Sequence, residues 1–326
     1  MKGNVEMTNH FETYVKTGQL DLETKALSTS GDGGYFVPTV VENRVTEALN
    51  SVSPLRQISN ITTISTDALD VLIEKKHPSV GWVSEHGDRV ETDASEVEKL
   101  RICVHEMYAK PRATQKLLDD SNINIEEWMV DRVSAQMARV ENAAFVNGDG
   151  KNKPKGFLTY AGSDQETWGK LQTFTTCKSG GFMDNDLGVE NLFDVVHSLR
   201  PEYLRGACWV MSRSALVAIR KLKDNRTDQF VVQQQEIVDG SIQSHTTLLG
   251  FPVILSDDLP ALNPSISSIS VAFGNFKLGY QIVDRQGLNV LRDPFSAKPH
   301  VEFYTTRRVG GDVVDFHAIK LLKFAD

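Results

Sequence analysis

A long amphipathic helix that ends at a glycine-rich turn constrains the fold of this chain more than any other feature. Asn124 can cap its first turn, and Glu127 stands at the third helical position, as in a capping box. Because Gly148 suits the left-handed residue that commonly ends a helix, we predict a helix over 125–147. Apolar residues recur along it at three- and four-residue spacing, namely Ile125, Met129, Val133, Met137, Val140 and Ala144, and the opposite face carries Asp131, Arg132, Gln136, Arg139 and Glu141.

Composition and charge indicate a globular protein. Hydrophobic residues make up 40% of the 326 residues and charged residues 24%, and no apolar run is long enough to cross a bilayer. The N-terminal segment has no apolar core, so it does not predict a secretory signal. Cys103, Cys177 and Cys208 have no CxxC spacing, which indicates free thiols in a reducing compartment. The net charge of −8 argues against a dedicated nucleic-acid binder, which needs a basic face.

Two segments are predicted to reach away from any core of their own. Residues 25–40, KALSTSGDGGYFVPTV, are too rich in glycine for a helix and form an extended arm, whose apolar residues Tyr35, Phe36, Val37 and Pro38 should lie on a surface. Residues 66–105 read as two strands that flank a polar tip. A hairpin with so little apolar surface needs a partner to steady it, although a solvated loop in a monomer is the alternative.

The remaining chain predicts a mixed α+β fold. Strands alternate with helices across about 186–290, which favours an α/β subdomain. The last apolar segments, Val301–Thr305, Val309–Val314 and Ala318–Phe324, are expected to return as strands that pack with the long helix.

The amino-acid sequences of several segments resemble those of the major capsid proteins of tailed phages of the Hong Kong 97 type. The resemblance rests on "LLDDS", the long helix, "NGDG" and the "PKG" loop across 111–156, on "KAL…DGGYFVP" in the arm, and on "GFPV" at 250–253. It covers the chain from Lys25 to about Phe324. It implies an N-terminal arm (1–40), an extended loop or E-loop (66–105), a platform or P domain made of 41–65, 106–156 and 291–326, and an axial or A domain within 157–290.

That resemblance implies a structural protein of a phage, a prophage or a gene transfer agent (GTA). Its copies would form pentamers and hexamers that close an icosahedral shell around DNA, without sequence-specific binding. A separate scaffolding protein, a maturation protease and a portal would be its partners, in a virion capsid assembled in the bacterial host cytoplasm. The alternatives are an encapsulin-type shell that holds protein cargo and a cytosolic enzyme with a dispersed site.

The resemblance also implies where neighbouring subunits would meet. Contacts between E-loop and platform would use Trp82, Glu85, Arg89, Glu91, Asp93, Arg307 and Arg308, with the two arginines facing acidic groups of a neighbour. Some relatives join subunits by a lysine–asparagine isopeptide bond with a glutamate as base. The matching positions here fall near His86, Pro299 and Thr306, so we expect no covalent cross-link. Cleavage near Lys25–Ala26 is a further expectation.

The sequence lacks the common catalytic, metal-binding and phosphate-binding motifs. It contains no G-x-S-x-G elbow, no H-E-x-x-H pair and no complete phosphate-binding loop. We therefore expect no catalytic residues, no metal site, no cofactor and no membrane partner.

Overall fold

The computed structural model describes residues 35–36, 49, 52–76, 96–114, 125–176, 178–182, 187–222, 247–285 and 289–325. The chain divides into two compact units. The first comprises Met1–Asp67, Val104–Thr159 and Ile282–Gly311, and the second comprises Ala68–Cys103, Tyr160–Gln281 and Asp312–Asp326.

Strands and helices are numbered in chain order. The strands are β1 Tyr35–Phe36, β2 Asn60–Ile64, β3 Ala68–Lys76, β4 Glu96–Cys103, β5 His105–Ala109, β6 Arg112–Thr114, β7 Ala161–Ser163, β8 Leu171–Thr175, β9 Cys208–Met211, β10 Thr247–Leu248, β11 Phe251–Leu255, β12 Ser268–Gly274, β13 Tyr280–Arg285, β14 Asn289–Asp293, β15 His300–Val313 and β16 Ile319–Phe324. The helices are α1 Pro54–Ile58, α2 Ile125–Asn147, α3 Leu187–Ser198, α4 Pro201–Leu204, α5 Arg213–Arg220 and α6 Phe276–Gly279, and a 3-10 turn covers Phe157–Tyr160.

A seven-stranded sheet is the framework of the first unit. Its strand order is β1-β14-β15-β13-β2, and β5 and β6 also pair with β15. Successive side chains of a strand point to opposite faces. Along β15, Phe303, Thr305 and Arg307 are accordingly buried, whereas Tyr304 and Arg308 are partly exposed. The helix α2 packs against β5 and α1. On the opposite face, Tyr304 and Arg308 are partly exposed among the described residues.

The helix predicted over 125–147 is confirmed, but it presents a different face to the sheet. Val133 and Met137 are buried as expected. Val140, assigned to the apolar stripe, is 63% exposed, and Glu141, assigned to the polar face, is 1% exposed. The expectation for these two residues was wrong because Glu141 meets Arg56 inside the unit, and a paired carboxylate can be buried.

The second unit is built on another seven-stranded sheet, in the order β10-β11-β9-β12-β16-β8-β7. Its core includes residues of β9, β12, α3 and α5, and the rings of Trp209 and Phe273 on neighbouring strands lie 4.4 Å apart. Ser212 caps α5 by accepting a hydrogen bond from the backbone amide of Ala215.

The C-terminal segment Ala318–Phe324 belongs to the second unit and the long helix to the first, so the expectation that they share one platform was wrong. Its strand β16 lies inside the second sheet, antiparallel to β12 and parallel to β8. Ile319, Leu321 and Leu322 are all fully buried. Nearly continuous burial is what a central strand covered on both faces requires, and it explains why this apolar run lacks a two-residue period.

The strands β3 and β4 form a separate two-stranded antiparallel sheet, paired from Ala68↔Cys103 to Lys76↔Glu96. These are the strands expected to flank the polar tip, and the tip itself, residues 77–95, lies outside the described residues. Leu72 and Val97 are exposed on this ribbon. Cys103 and Cys208 are free thiols, and Cys177 is not among the described residues.

Charged and polar side chains surround Glu166 in the second unit. We name Glu166, Gln172, Arg200, His317 and Lys320 the rim cluster. Glu166 Oε1 accepts a hydrogen bond from Lys320 Nζ at 2.5 Å, and Glu166 Oε2 accepts one from Arg200 at 2.9 Å. Lys320 also donates to Gln172 at 2.8 Å, and His317 Nδ1 lies 3.4 Å from Glu166. The side chain of Lys320 is fully buried, whereas Glu166 remains 29% exposed.

Candidate functional site

Most of the residues predicted to join subunits lie outside the described part of the chain. These are Trp82, Glu85, Arg89, Glu91 and Asp93 of the hairpin tip and Val37 and Pro38 of the arm. Tyr35 and Phe36 form β1, whose backbone pairs with Val290 and Asn289 of β14. Arg307 and Arg308 are therefore the predicted site residues whose side-chain contacts are described.

Arg307 lies inside the first unit, so its predicted role in meeting a neighbour was wrong. It is 6% exposed and donates from Nη2 to Asp284 Oδ2 at 2.9 Å. Arg56 donates to both oxygens of Asp284 at 2.8 Å and from Nε to Glu141 Oε2 at 2.7 Å. We name these four residues the buried network. It joins α1, α2, β13 and β15.

The electrostatics of the buried network favour its charged form. Burial opposes the charge on Asp284, but hydrogen bonds from Arg56 and the charge of Arg307 outweigh it and lower the pKa of that carboxyl. Burial likewise opposes the charge on Arg56, and its two acidic partners raise its pKa in spite of it. Two arginines thus balance two carboxylates. Within the described residues, Glu141 Oε1 and Arg307 Nη1 have no hydrogen-bond partner.

Arg308, the next residue along β15, points to the opposite face of the sheet. Its side chain is 43% exposed, and it lies 3.3 Å from Glu106 and 3.2 Å from Asp67. Arg285 donates to the same Asp67 oxygen at 2.6 Å. The backbone carbonyl of Asp67 accepts a hydrogen bond from Val104 at 3.1 Å, where the chain enters and leaves the hairpin. All of these contacts lie within the first unit, which the chain leaves after Asp67 and re-enters at Val104.

The same face of the sheet carries exposed aromatic side chains. Tyr108 is 66% exposed, and its ring centroid lies 5.9 Å from that of Tyr304. Lys110 Nζ lies 5.8 and 5.2 Å from these two centroids, within range of a cation–π contact. We name Glu106, Tyr108, Lys110, Tyr304 and Arg308 the open face.

A turn beside the open face presents a further aromatic residue. Phe295 is 78% exposed. Asp293 fixes this turn by accepting hydrogen bonds from the backbone amides of Phe295 and Ser296 and from the Ser296 hydroxyl. These bonds, together with the nearby charge of Lys110, hold the pKa of Asp293 below its ordinary value. Exposed aromatic rings on a rigid turn are typical of protein contact sites.

Sequence reasoning missed Tyr108, Lys110, Tyr304 and Phe295. A usable signal was present, because Glu106 and Tyr108 alternate with Met107 and Ala109, and the exposed side of such a strand is the one that a partner can reach. No group of three or more histidine, cysteine, aspartate or glutamate residues in the described segments could hold a metal ion. Helices in those segments are also too short or too polar to span a membrane. The arrangement is suited to contact with another macromolecule.

Comparison with known proteins gives consistent matches. Residues 33–324 match the profile of the phage capsid family. The major capsid protein of Escherichia phage T5 is 20% identical over 317 residues, which is 95% of this chain but 65% of that protein, so the chain spans somewhat less than two thirds of that relative. The capsid of an empty GTA particle, computed with C5 symmetry, is 40% identical over 84% of this chain and 90% of that one, with a TM-score of 0.74. The capsid of the native GTA particle gives 40% identity, 84% and 91% coverage, and a TM-score of 0.73.

Proposed function

The chain belongs to the phage capsid family, and from this premise we propose that it is the major capsid protein of a tailed phage, a prophage or a GTA. Its copies assemble into pentamers and hexamers that close an icosahedral shell around DNA. The observation that carries the proposal is 40% identity to a GTA capsid chain over 84% of this one, with a TM-score of 0.74. That relative's shell was computed with C5 symmetry, which supports a five-fold ring here.

In this proposal the first unit corresponds to the P domain with α2 as its spine helix, and 66–105 is the E-loop. The rest of the second unit, Tyr160–Gln281 with Asp312–Asp326, corresponds to the A domain. A two-stranded ribbon is marginally stable alone, and β3–β4 exposes Leu72 and Val97. A neighbouring copy would cover such residues. A ring of identical subunits needs a heterologous interface, in which two different surfaces meet. The arm and the hairpin supply one surface, and the open face with Phe295 supplies the other.

The shell is held by non-covalent contacts in this proposal. His86, Pro299 and Thr306 stand where a cross-linking relative would need lysine, asparagine and glutamate. Arg308 remains the candidate partner for Glu85, Glu91 or Asp93 of a neighbour, because its present ion pairs are solvent-exposed and can exchange. A scaffolding protein, a maturation protease and a portal would act with it in the host cytoplasm before the shell becomes part of the virion.

Electron microscopy of the full chain tests the proposal. The protein is expressed in a bacterium alone and together with the candidate scaffolding protein of the same genetic element, then observed by negative stain and light scattering. We expect rings of five or six subunits, or closed shells. Compact monomers in both preparations at high concentration would contradict the proposal, and shells filled with protein cargo would point to an encapsulin.

Variants of the open face test where the subunits meet. We expect Tyr108→Ala with Phe295→Ala to lower shell yield at least about tenfold, since buried aromatic side chains often dominate interface energy. Arg308→Glu should lower it less. Gln165→Ala, an exposed change in the second unit, is the control. Wild-type yield from the aromatic variant would remove the open face from the interface while leaving the assembly proposal standing.

A further inference from the structure

A row of basic side chains runs along α2 and into the loop that follows it. Arg132 and Arg139 on the helix and Lys151 and Lys153 in the loop are exposed, and Lys155 is partly exposed. We name these five residues the basic strip, and all of them belong to the first unit.

The charge of this segment is opposite to that of the whole chain, which is −8. Between residues 132 and 155 the carboxylates are Glu141 and Asp149. Glu141 is turned inward to Arg56 in the buried network, so Asp149 is the exposed acid among the five basic residues. The surface charge of the strip follows from how the helix is oriented, and it could not be read from composition.

The helical part of the strip and the open face lie on opposite sides of the first unit. The inward side of α2 carries Glu141, which meets Arg56 and, through it, Asp284 of the sheet. Arg132 and Arg139 are two helical turns apart on the outward side, separated by about 10 Å along the axis. Arg308 and the aromatic residues of the open face point away from the helix. A subunit seated on the open face would therefore leave Arg132 and Arg139 uncovered.

The loop after the helix holds its lysines in a fixed frame. The amide of Gly156 donates to the carbonyl of Gly148 at 2.9 Å, and the amide of Lys155 donates to Gly311 at 2.9 Å. A Cβ on Gly148 would lie 2.0 Å from the Pro154 carbonyl oxygen, so the closure needs glycine there. Such a frame lowers the entropy cost when the lysines bind a partner.

Asp149 orders the tip of this loop without cancelling its charge. Its Oδ1 accepts a hydrogen bond from the Lys151 amide at 3.1 Å and lies 3.5 Å from Lys153 Nζ. Lysines after a helix also stabilise its C-terminal carbonyls. That effect fades within one turn, so it does not explain the arginines farther back on the helix.

We propose that the basic strip binds a polyanion, namely the phosphate backbone of double-stranded DNA inside the shell. This inference rests on the proposed function. Arginine can contact a phosphate with two hydrogen bonds, and lysine acts as a point charge. No base contact is involved, so the binding is independent of sequence and weakens as salt rises.

The acidic hairpin tip of a second copy is the competing occupant. Residues 77–95 contain four carboxylates and one arginine. Protein interfaces are enriched in aromatic residues and depleted in lysine. The strip consists of lysine and arginine, whereas the open face offers two tyrosines to a protein. The composition therefore favours nucleic acid for the strip and a neighbouring subunit for the open face.

The test compares two triple variants of equal net charge. Arg139→Gln with Lys151→Gln and Lys153→Gln alters the strip, and the control changes the exposed Lys170, Lys221 and Lys277 of the second unit to glutamine. Binding of each full-length protein to a duplex of arbitrary sequence is measured by fluorescence anisotropy over a range of salt concentrations. Thermal unfolding and electron microscopy of the same samples report folding and assembly separately.

We expect wild type and control to bind within about twofold of each other, and the strip variant to bind at least about tenfold more weakly. Its plot of log affinity against log salt should be shallower by roughly one unit for each phosphate that the strip no longer neutralises. Lys151→Arg with Lys153→Arg should keep wild-type binding. An equal decrease in affinity for both triple variants would overturn the inference, since net charge alone would explain it.

The two proposals fail in different ways. If the strip variant binds DNA normally but no longer assembles, the strip is a contact between subunits, and the DNA inference is wrong. If wild-type shells form but the protein shows no salt-dependent binding, the inference is also wrong while the proposed function stands. If wild type binds DNA through the strip yet never assembles, the proposed function is the one that fails.

Discussion

The buried network of the first unit and the rim cluster of the second unit use similar charges in opposite surroundings. In the network, Arg56 and Glu141 are fully buried and Asp284 receives hydrogen bonds from two guanidinium groups. In the rim cluster, the buried Lys320 reaches a carboxylate that water still contacts. Removing one partner from a closed network leaves a buried charge, whereas water can replace a partner at the rim. The difference teaches that burial, and not the number of ion pairs, decides how much stability is lost when one member of such a cluster is removed.

Asp284→Asn should produce the largest effect, because it leaves two buried arginines facing a neutral amide. We expect the free energy of unfolding to fall by about 3–5 kcal/mol, measured by denaturant unfolding of the isolated protein. The matched control replaces all four residues together, Arg56→Met, Glu141→Leu, Asp284→Leu and Arg307→Met. A decrease as large in that control would mean that the network itself stabilises the unit, contrary to our view.

Glu166→Gln should have a smaller effect in the same experiment, about 1–2 kcal/mol. Lys320 would keep its hydrogen bond to Gln172, and Arg200, which is partly exposed, would turn to water. Lys320→Met, which removes the buried charge altogether, is the control and should be milder still. A decrease in stability from Glu166→Gln that equals the decrease from Asp284→Asn would abolish the distinction between rim and network.

Acid should weaken the rim cluster over a defined range of pH. Burial opposes the charge on Glu166, but hydrogen bonds from Lys320 and Arg200 outweigh it and lower the pKa from 4.5 to about 2. Because the folded pKa is the lower one, this contribution to stability is complete above about pH 4.5 and is lost as pH falls toward 2. Unfolding at pH 6 and pH 3 should therefore show a smaller difference between wild type and Glu166→Gln at pH 3. A difference that does not change with pH would contradict this interpretation.

Arg308→Ala should have the smallest effect on stability, at most about 1 kcal/mol, because its ion pairs with Glu106 and Asp67 are exposed. Arg307→Ala, a change at the adjacent residue, should reduce the free energy of unfolding several times more, since it leaves Asp284 incompletely paired. Denaturant unfolding of the two variants compares how much a side chain on each face of β15 contributes to the free energy of unfolding. Equal decreases in the free energy of unfolding would mean that the ion pairs of Arg308 stabilise the fold as much as the buried pair of Arg307 does.

Local signals predicted the long helix correctly and misjudged the charged residues on it. The capping residues and the spacing of apolar side chains are contained within or beside 125–147, so sequence reasoning reached the confirmed boundaries. The partner that buries Glu141 lies 85 residues away, and Asp284 lies 228 residues from Arg56. Contacts of that separation leave no trace in a local pattern. Arg307 was mistaken for a surface residue for the same reason.

The open face was only partly predictable. The family resemblance and charge complementarity suggested a contact at Arg308, whose side chain is 43% exposed. Nothing near Tyr108 in the sequence points to Tyr304, because strand pairing brings β5 and β15 together across nearly two hundred residues. The other parts of that prediction, the hairpin tip and the residues Val37 and Pro38, remain predictions.

The position of β16 sets the order in which the second unit can form during synthesis. It is the last of the seven strands in sequence, yet it separates β12 from β8 in the sheet. Until Ile319–Phe324 has left the ribosome, the sheet exists in two parts. Strands β9–β12 form one part and strands β7 and β8 the other, and β16 is the strand that hydrogen-bonds to both. A nascent chain therefore carries an unfinished second sheet until β16 has emerged from the ribosome.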